Sequence, residues 1–418
     1  LGRFEKAIAL ARKSLANANE NQTSELSKII GESYFNLKDY RSALPYLEVY
    51  KGKRGKWSNT DFYQLGYTHY RLGEYEKAIM QFNKIISGAN AVAQNAYYHL
   101  ADCYLKTDKK TQALNAFKSA SAFKFDAVIA EDALLNYARL SYEIGNAYEN
   151  TSLLLTEFLD QYPKNKAVVE IEQLLIDSYV NSRNYAAALK ILKKKSGSQF
   201  NAALQKVNYL KAIALFQSGL FEESITFFDQ ALKNKVDRTI EANCLYWSAL
   251  AKYELNDFEA VITELQYFKS HPFAQKVSGA EHLSYQLAYA NFKLKNYENS
   301  RALFERYLQS NIQITSYKRD ALLRLGDSHF ALGKYWPAME SYESAIQMDV
   351  SRGMYALYQK ALSYGFVERN PKKIEALNQL ISDYPKTSLL DDSYFQLALA
   401  FTRENNIIKA IETYDLLT

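Results

Sequence analysis

Cysteine is almost missing from this 418-residue chain. Cys103 and Cys244 are the two present and they stand far apart, so they form neither a disulfide framework nor the paired cysteines of a zinc site, and the redox compartment stays open. Proline and glycine are also scarce, at 6 and 15 residues, which argues against a turn-rich all-β architecture and for long helices. No apolar run approaches the ~18 residues of a membrane-spanning helix. An excess of one charge is lacking too. Lys and Arg total 51 and Asp and Glu 46, and a net charge of +5 spread over this length is too dilute to imply nucleic-acid binding. G-x-S-x-G, H-E-x-x-H, a Gly-rich phosphate loop and Cys-x-x-Cys are all absent, and with them the common spacings that place a nucleophile, a zinc ion or a nucleotide. The chain opens on Leu1-Gly2 and closes on "AIETYDLLT" inside an apolar-periodic segment. It therefore reads as part of a longer protein, with any address or anchor expected on sequence beyond it.

What the chain has in quantity is apolar surface and tyrosine: 48% hydrophobic residues, enough to fold, and 34 Tyr. It also repeats itself. "RLGEYEKAIMQF" (Arg71–Phe82) returns as "ALGKYWPAMESY" (Ala331–Tyr342), and "KDYRSALPYL", "RNYAAALKIL", "GLFEESITFF", "NDFEAVITEL" and "KNYENSRALF" are variants of it. Roughly ten residues before each full copy, a large apolar residue is followed by a small one. The small residues fall at Gly31, Gly66, Ala101, Ala138, Ala212, Ala249, Ala288, Gly326, Ala361 and Ala398, with Ile176 as a larger exception, and the spacings run from 35 to 39 residues. That period is the mark of a helical solenoid. Phe62, Leu65, Gly66, His69 and Tyr70 recur at helical spacing, as do Tyr75, Ala78, Ile79, Phe82 and Ile85, so each period holds two helices. The small residues let paired helices approach closely. A Gly, Asn or Lys between them marks a left-handed turn. One pair cannot bury its apolar faces alone, whereas stacked pairs can.

The pattern resembles the tetratricopeptide repeat family. The matching residues are Leu65-Gly66, His69, Gly73, Tyr75, Ala78 and Phe82 in one period, and Leu325-Gly326, His329, Gly333, Tyr335, Ala338, Tyr342 and Ala345 in another. The register slips near Thr151–Phe158, and Asn370 and Lys373 replace the Tyr and Ala of one period. The resemblance implies an all-α, right-handed superhelical solenoid of antiparallel helix pairs. Residues 1–23 would be the second helix of a truncated repeat, and 24–418 a tandem array of about eleven repeats. It also implies a non-catalytic protein-interaction scaffold, needing no cofactor, that holds a peptide or helix of a partner protein in a groove lined by first helices. Two other readings stay open: a targeting or regulatory arm of a protein with an enzymatic or membrane-associated domain elsewhere, and a nucleic-acid-binding helical repeat. The carboxylate clamp known in the family wants Lys and Asn on first helices. Here Lys28 is followed by Glu32, and the next period offers Tyr63, Gln64 and Tyr67, so an adaptor for acidic chaperone tails is not expected.

No residue set calls for catalysis or metal binding. His69 and His329 share one repeat position that other periods fill with Tyr, which makes them packing variants. "HLADC" puts His99 and Cys103 on one helix face, but no second cluster completes a metal site. Two basic stretches, "YKGKRGKW" (Tyr50–Trp57) and "KILKKKSGS" (Lys190–Ser198), read either as solvated linkers or as contacts for an acidic partner or an anionic membrane.

The tyrosines carry the site expectation. With the small residue as the eighth position, the fifth reads Tyr63, Tyr98, Tyr209, Tyr246, Tyr285, Tyr358 and Phe395, and Tyr67, Tyr253, Tyr289 and Phe292 continue the stripe. By the resemblance this face lines the groove. The rings then either cover the preceding pair or form a partly exposed ladder for a partner segment, with Tyr63, Tyr67, Tyr98, Tyr246, Tyr253, Tyr285, Tyr289, Phe292, Tyr358 and Phe395 as the expected binding residues. Second helices ending in "FLDQYP" and "LISDYP" resemble those of bacterial envelope proteins of the family, so a periplasmic or envelope location is expected.

Overall fold

The computed structural model describes residues 3–85, 88–195, 197, 200–310 and 315–417. Leu1, Gly2, Ser196, Ser198 and Thr418, which belong to the terminal and basic stretches named from the sequence, lie outside the described residues. Every regular element among the described residues is a helix, with no strand beyond an isolated antiparallel bridge between Lys53 and Lys56.

The chain divides into two compact units, Leu1–Ala188 and Leu189–Thr418. In the first, α1 (Phe4–Leu15) precedes the pairs α2 (Glu20–Asn36) with α3 (Tyr40–Val49), α4 (Asn59–Arg71) with α5 (Tyr75–Phe82), α6 (Ala91–Lys106) with α7 (Lys110–Ala122), and α8 (Ala127–Ile144) with α9 (Thr151–Gln161). Then come α10 (Val168–Asn181) and α11 (Tyr185–Leu192), inside which the division falls. The second unit pairs α12 (Asn201–Gln217) with α13 (Phe221–Leu232), α14 (Arg238–Glu254) with α15 (Phe258–Lys269), and α16 (Leu283–Lys293) with α17 (Tyr297–Leu308). The pairs α18 (Thr315–Ala331) with α19 (Tyr335–Met348), α20 (Met354–Phe366) with α21 (Asn370–Asp383), and α22 (Leu390–Arg403) with α23 (Ile407–Tyr414) follow. Within each unit, a second helix packs on its own first helix and on the next one, and successive first helices touch.

Local chemistry starts and stops these helices. Asn19, Ser58, Asn90, Asp126, Asn150 and Asp237 cap helix N-termini by accepting from backbone N–H groups one turn in. At the turn after α4, Gly73 is left-handed at φ 80°, its N–H donates to Tyr70 O, and Glu74 N–H donates to His69 O at 2.9 Å, which is a Schellman stop. The same two bonds close α2 through Lys38 and Asp39. Side-chain-bearing residues also occupy this left-handed position, at Lys38, Asp108, Arg183, Asn256, Lys295, Glu368 and Asn405. The turn is therefore imposed by packing of the helices it joins, against a local cost of about 1 kcal/mol.

The small residues of the repeat are buried where helices touch. Ala101, Ala138, Ala212, Ala249, Ala288, Ala361 and Ala398 are all fully enclosed, and Gly66 and Gly326 face the rings of Phe82 and Tyr342. Two departures from the period have visible causes. The register slip near Thr151 is a loop between α8 and α9, held by Asn146, whose side-chain amide donates to Tyr137 Oη and Ser141 Oγ at 3.0 Å. The widest spacing, Ala249 to Ala288, contains two 3-10 turns, Ala274–Lys276 and Ala280–His282, with Ala274 and Val277 packed into the core of α14 and α15.

Candidate partner-binding face

In the first unit, Tyr63 and Tyr67 sit one turn apart on α4 with rings stacked at 5.8 Å. Tyr67 also meets Phe35 of α2 and Tyr40 of α3, each at 5.8 Å, and His99 of α6 at 4.8 Å. The Arg71 guanidinium lies 4.9 Å from the Tyr40 centroid and 5.9 Å from that of Tyr67. Three successive first helices thus share one half-buried aromatic patch with a cation on it, an arrangement that suits amphipathic or acidic partner groups. His99 sits inside the patch with Nδ1 unpartnered, and burial pushes its imidazole down to about 4, so it is neutral at neutral pH.

In the second unit, Tyr253 of α14 meets Tyr289 of α16 at 5.6 Å, and Tyr289 in turn meets Tyr285 at 6.1 Å and Phe292 at 6.4 Å. Lys293 Nζ lies 5.4 Å from the Tyr289 ring and the Arg324 guanidinium 5.7 Å from Phe292. Tyr358 is half-buried against the core of α20 and α21. Phe395 is largely exposed, with its ring 6.2 Å from that of Tyr414.

Two expected ladder residues are not exposed. Tyr246 keeps 2% of its surface and Tyr285 9%, so both are enclosed between neighbouring helices rather than offered to a partner. The physical reason lies in the rings around them, Trp247 and Phe268 against Tyr246, and Phe304, Tyr307 and Tyr317 against Tyr285. The hydroxyls of this repeat position also reach forward by about one repeat. Tyr285 donates to Asp320 at 2.7 Å, 35 residues on, and Tyr98 to Asp132 at 2.6 Å, 34 residues on. Tyr246 donates to the Gly279 carbonyl at 2.7 Å and accepts from Gln286 Nε2 at 2.8 Å. Burial pushes the Tyr246 hydroxyl up to about 12, and burial with the Asp320 charge raises that of Tyr285 further. A ring that fills the seam between two pairs and ends in a donor explains Tyr, rather than Phe, at Tyr98, Tyr246 and Tyr285. For Tyr98 and Tyr285 the Asp one period later was a readable sign of this pairing.

The structure adds residues that the fifth-position pattern missed. Tyr209, Ile213 and Phe216 of α12, Phe221 at the start of α13, and Trp247 and Glu254 of α14 wall a recess of about 520 Å³. Phe216 makes edge contacts with Phe221 at 5.4 Å and Trp247 at 5.2 Å, so the wall is a packed aromatic corner. Tyr209 is itself a fifth position, but the other residues sit elsewhere in the repeat, and only the approach of two successive first helices brings them together.

His69 and His329 are both buried, His69 Nδ1 lying 2.8 Å from Glu74 Oε2. Cys103 and Cys244 are fully buried, and burial pushes both thiols up to about 12, which suppresses the reactive thiolate. Among the described residues no group of three or more His, Cys, Asp or Glu side chains could hold a metal ion, and no helix is long and apolar enough to cross a membrane.

Residues 285–352 and 355–387 match two tetratricopeptide repeat profiles. The chain carries tetratricopeptide repeats. Residues 53–120 match the profile described as anaphase-promoting complex, cyclosome, subunit 3. No curated protein sequence matches the chain. Among solved structures, the chain is similar to the Cut9–Hcn1 hetero-tetramer of the APC/C, at 12% identity over 95% of this chain and 93% of that one, with a TM-score of 0.35. It is also similar to YrrB, described as a repeat protein with an unusual peptide-binding site, at 15% identity over 45% of this chain and 89% of that one, TM-score 0.36. A third is the C-terminal part of a repeat-containing protein from Cytophaga hutchinsonii, at 12% identity over 57% of this chain and 92% of that one, TM-score 0.41. Tetratricopeptide repeats are a protein-interaction scaffold fold, generally without catalysis of its own, and that is the level of function the repeats themselves establish.

Proposed function

We propose that the first-helix face of this array binds a segment of a partner protein in extended or helical form. The observation that carries the reading is the aromatic-walled recess between α12 and α14, where Phe216 and Trp247 offer rigid apolar surface beside Glu254. Large rings that lose little conformational freedom make effective binding anchors. Tyr253, Tyr289, Phe292, Tyr358 and Phe395 extend the contact surface within the second unit, and Tyr63, Tyr67 and Tyr98 offer a separate one in the first, each residue retaining accessible area. Tyr246 and Tyr285 act behind it, as spacers between pairs. A bacterial envelope location belongs to the same reading. It rests on the Tyr-Pro sequences that close α9 and α21 at Tyr162 and Tyr384, and cell fractionation of the native host tests it.

The test is a displayed peptide library selected on the intact chain, followed by titration of the selected peptides against the Phe216→Ala/Trp247→Ala variant. An interface anchor is typically worth about 2 kcal/mol, so binding should weaken at least about tenfold while far-UV circular dichroism stays unchanged. If every selected peptide binds the folded variant as tightly as the parent, this assignment of the face is refuted.

A further inference from the structure

The basic stretch Tyr50–Trp57 is a built loop. Gly52 is left-handed at φ 86°, and a Cβ there would stand 2.6 Å from the Lys56 carbonyl carbon, so only glycine fits. Gly55 N–H donates to Gly52 O and Lys56 N–H to Lys53 O, both at 3.1 Å, while Lys51 N–H is anchored on Ser24 Oγ at 2.9 Å. The loop ends in an aromatic run, with Tyr50 and Trp57 at 5.8 Å and Trp57 and Phe62 at 5.1 Å. Beneath it opens a recess of about 800 Å³, whose lining includes Gly55, Trp57, Phe62, Leu65, Lys77 and Lys84. These residues lie on α4, α5 and the loop, apart from the tyrosine stripe.

Charge and shape at this recess point to the same occupant. Lys84 Nζ lies 5.1 Å from the Phe62 centroid and meets a neutral partner, Gln81 Oε1, at 3.1 Å. On the loop, Lys53, Arg54 and Lys56 are exposed, and none has a carboxylate partner within ion-pair distance among the described residues. Glu48 is the one carboxylate among the lining residues. Unpaired cations on either side of Gly55, the loop residue that lines this aromatic-walled cavity, suit a chain that brings acidic groups to the rim and an aromatic ring inside. The aromatic surface is recessed, with Trp57 and Phe62 only partly exposed, and Met80 is the one apolar side chain of the lining that projects. A lipid surface would instead need apolar side chains that project.

We propose that this recess is a second binding site, for an acidic peptide segment that carries an aromatic anchor side chain. The ring enters beside Trp57 and Phe62, and carboxylates on either side of it meet Lys53, Arg54, Lys56 and Lys84. The site is independent of the first-helix face, so the array can hold two segments at once.

The probe is a fluorescein-labelled peptide of repeated Asp-Asp-Phe, titrated into the intact chain and followed by fluorescence anisotropy. Binding is expected to weaken with added salt, since the rim charges are exposed. It should fall at least tenfold in the triple variant Lys53→Glu, Arg54→Glu and Lys56→Glu, whose exposed substitutions leave the fold intact by circular dichroism. Trp57→Ala should cause a similar loss, and Phe216→Ala/Trp247→Ala none, which separates this site from the first-helix face. The proposal is overturned if a peptide with Ser in place of Phe binds equally well, or if the charge-reversed variant binds the probe as the parent does. It is equally overturned if phosphatidylglycerol vesicles or a single-stranded oligonucleotide capture the chain while the peptide does not.

Discussion

Gly326→Ala sets two effects of opposite sign against each other. Gly326 lies inside α18, and replacing an interior helical glycine by alanine normally stabilises a helix by about 1 kcal/mol. Here the added methyl would stand 2.6 Å from Tyr342 Cε1, 2.8 Å from Cδ1 and 2.9 Å from Cζ, far inside the ~3.5 Å at which carbon atoms attract. The ring has nowhere to go. It is fully buried, and its hydroxyl donates to Asp327 Oδ1 at 2.8 Å, an oxygen that also accepts from Tyr355 at 2.8 Å. Relief therefore requires either separating α18 from α19, an overpacking cost of about 1–3 kcal/mol, or breaking a buried bond to a carboxylate, about 1–3 kcal/mol. Steric cost wins, and we expect a net loss of about 1–2 kcal/mol despite the gain in propensity. Urea unfolding followed by far-UV circular dichroism reads the change, and amide exchange should localise it to α18 and α19. Truncating the opposing ring, in Gly326→Ala/Tyr342→Leu, should cost less than the sum of the single changes, because one substitution makes room for the other. Unchanged or increased stability in Gly326→Ala would show that the helices do not approach this closely and would remove the basis for the small-residue period.

Two further outcomes follow from the buried groups. His99 titrates at about 4 when folded, below its ordinary value near 6.5, so on acidification the unfolded chain takes up the proton first. Stability is unaffected above about pH 6.5 and falls by at most about 3 kcal/mol as pH drops toward 4; His99→Gln should flatten this part of the profile, and identical profiles for parent and variant would contradict the burial. Tyr98→Phe and Asp132→Ala each remove one end of a 2.6 Å bond between successive pairs, so each should cost about 1 kcal/mol, and the double variant should show a coupling of at least about 0.5 kcal/mol in chemical denaturation. Zero coupling would mean that the hydroxyl does not clasp the next repeat.

The periodic features were legible without coordinates because they repeat a local physical demand. A helix stop, a close helix contact and an apolar face recur every 35 to 39 residues, so Gly73, Ala78 and Gly326 announced the paired-helix architecture. Tertiary structure decided which tyrosines are walls and which are seams. Tyr246 and Tyr285 share a repeat position with Tyr63 and Tyr98, yet the first two are closed over and the second two are not. The difference lies in what the next pair supplies. Gly279 and Gln286 close on Tyr246, and the Tyr317 ring at 5.0 Å closes on Tyr285, whereas Tyr98 has the matching bond to Asp132 without such a ring contact from the next first helix among the described residues. The recess of Phe216 and Trp247 was equally invisible, since those residues belong to different helices, and only the packing of α12 against α14 brings them to one space. Periodicity along a chain follows from the geometry of one helix. Exposure depends on the neighbouring helix, whose side chains vary from one repeat to the next.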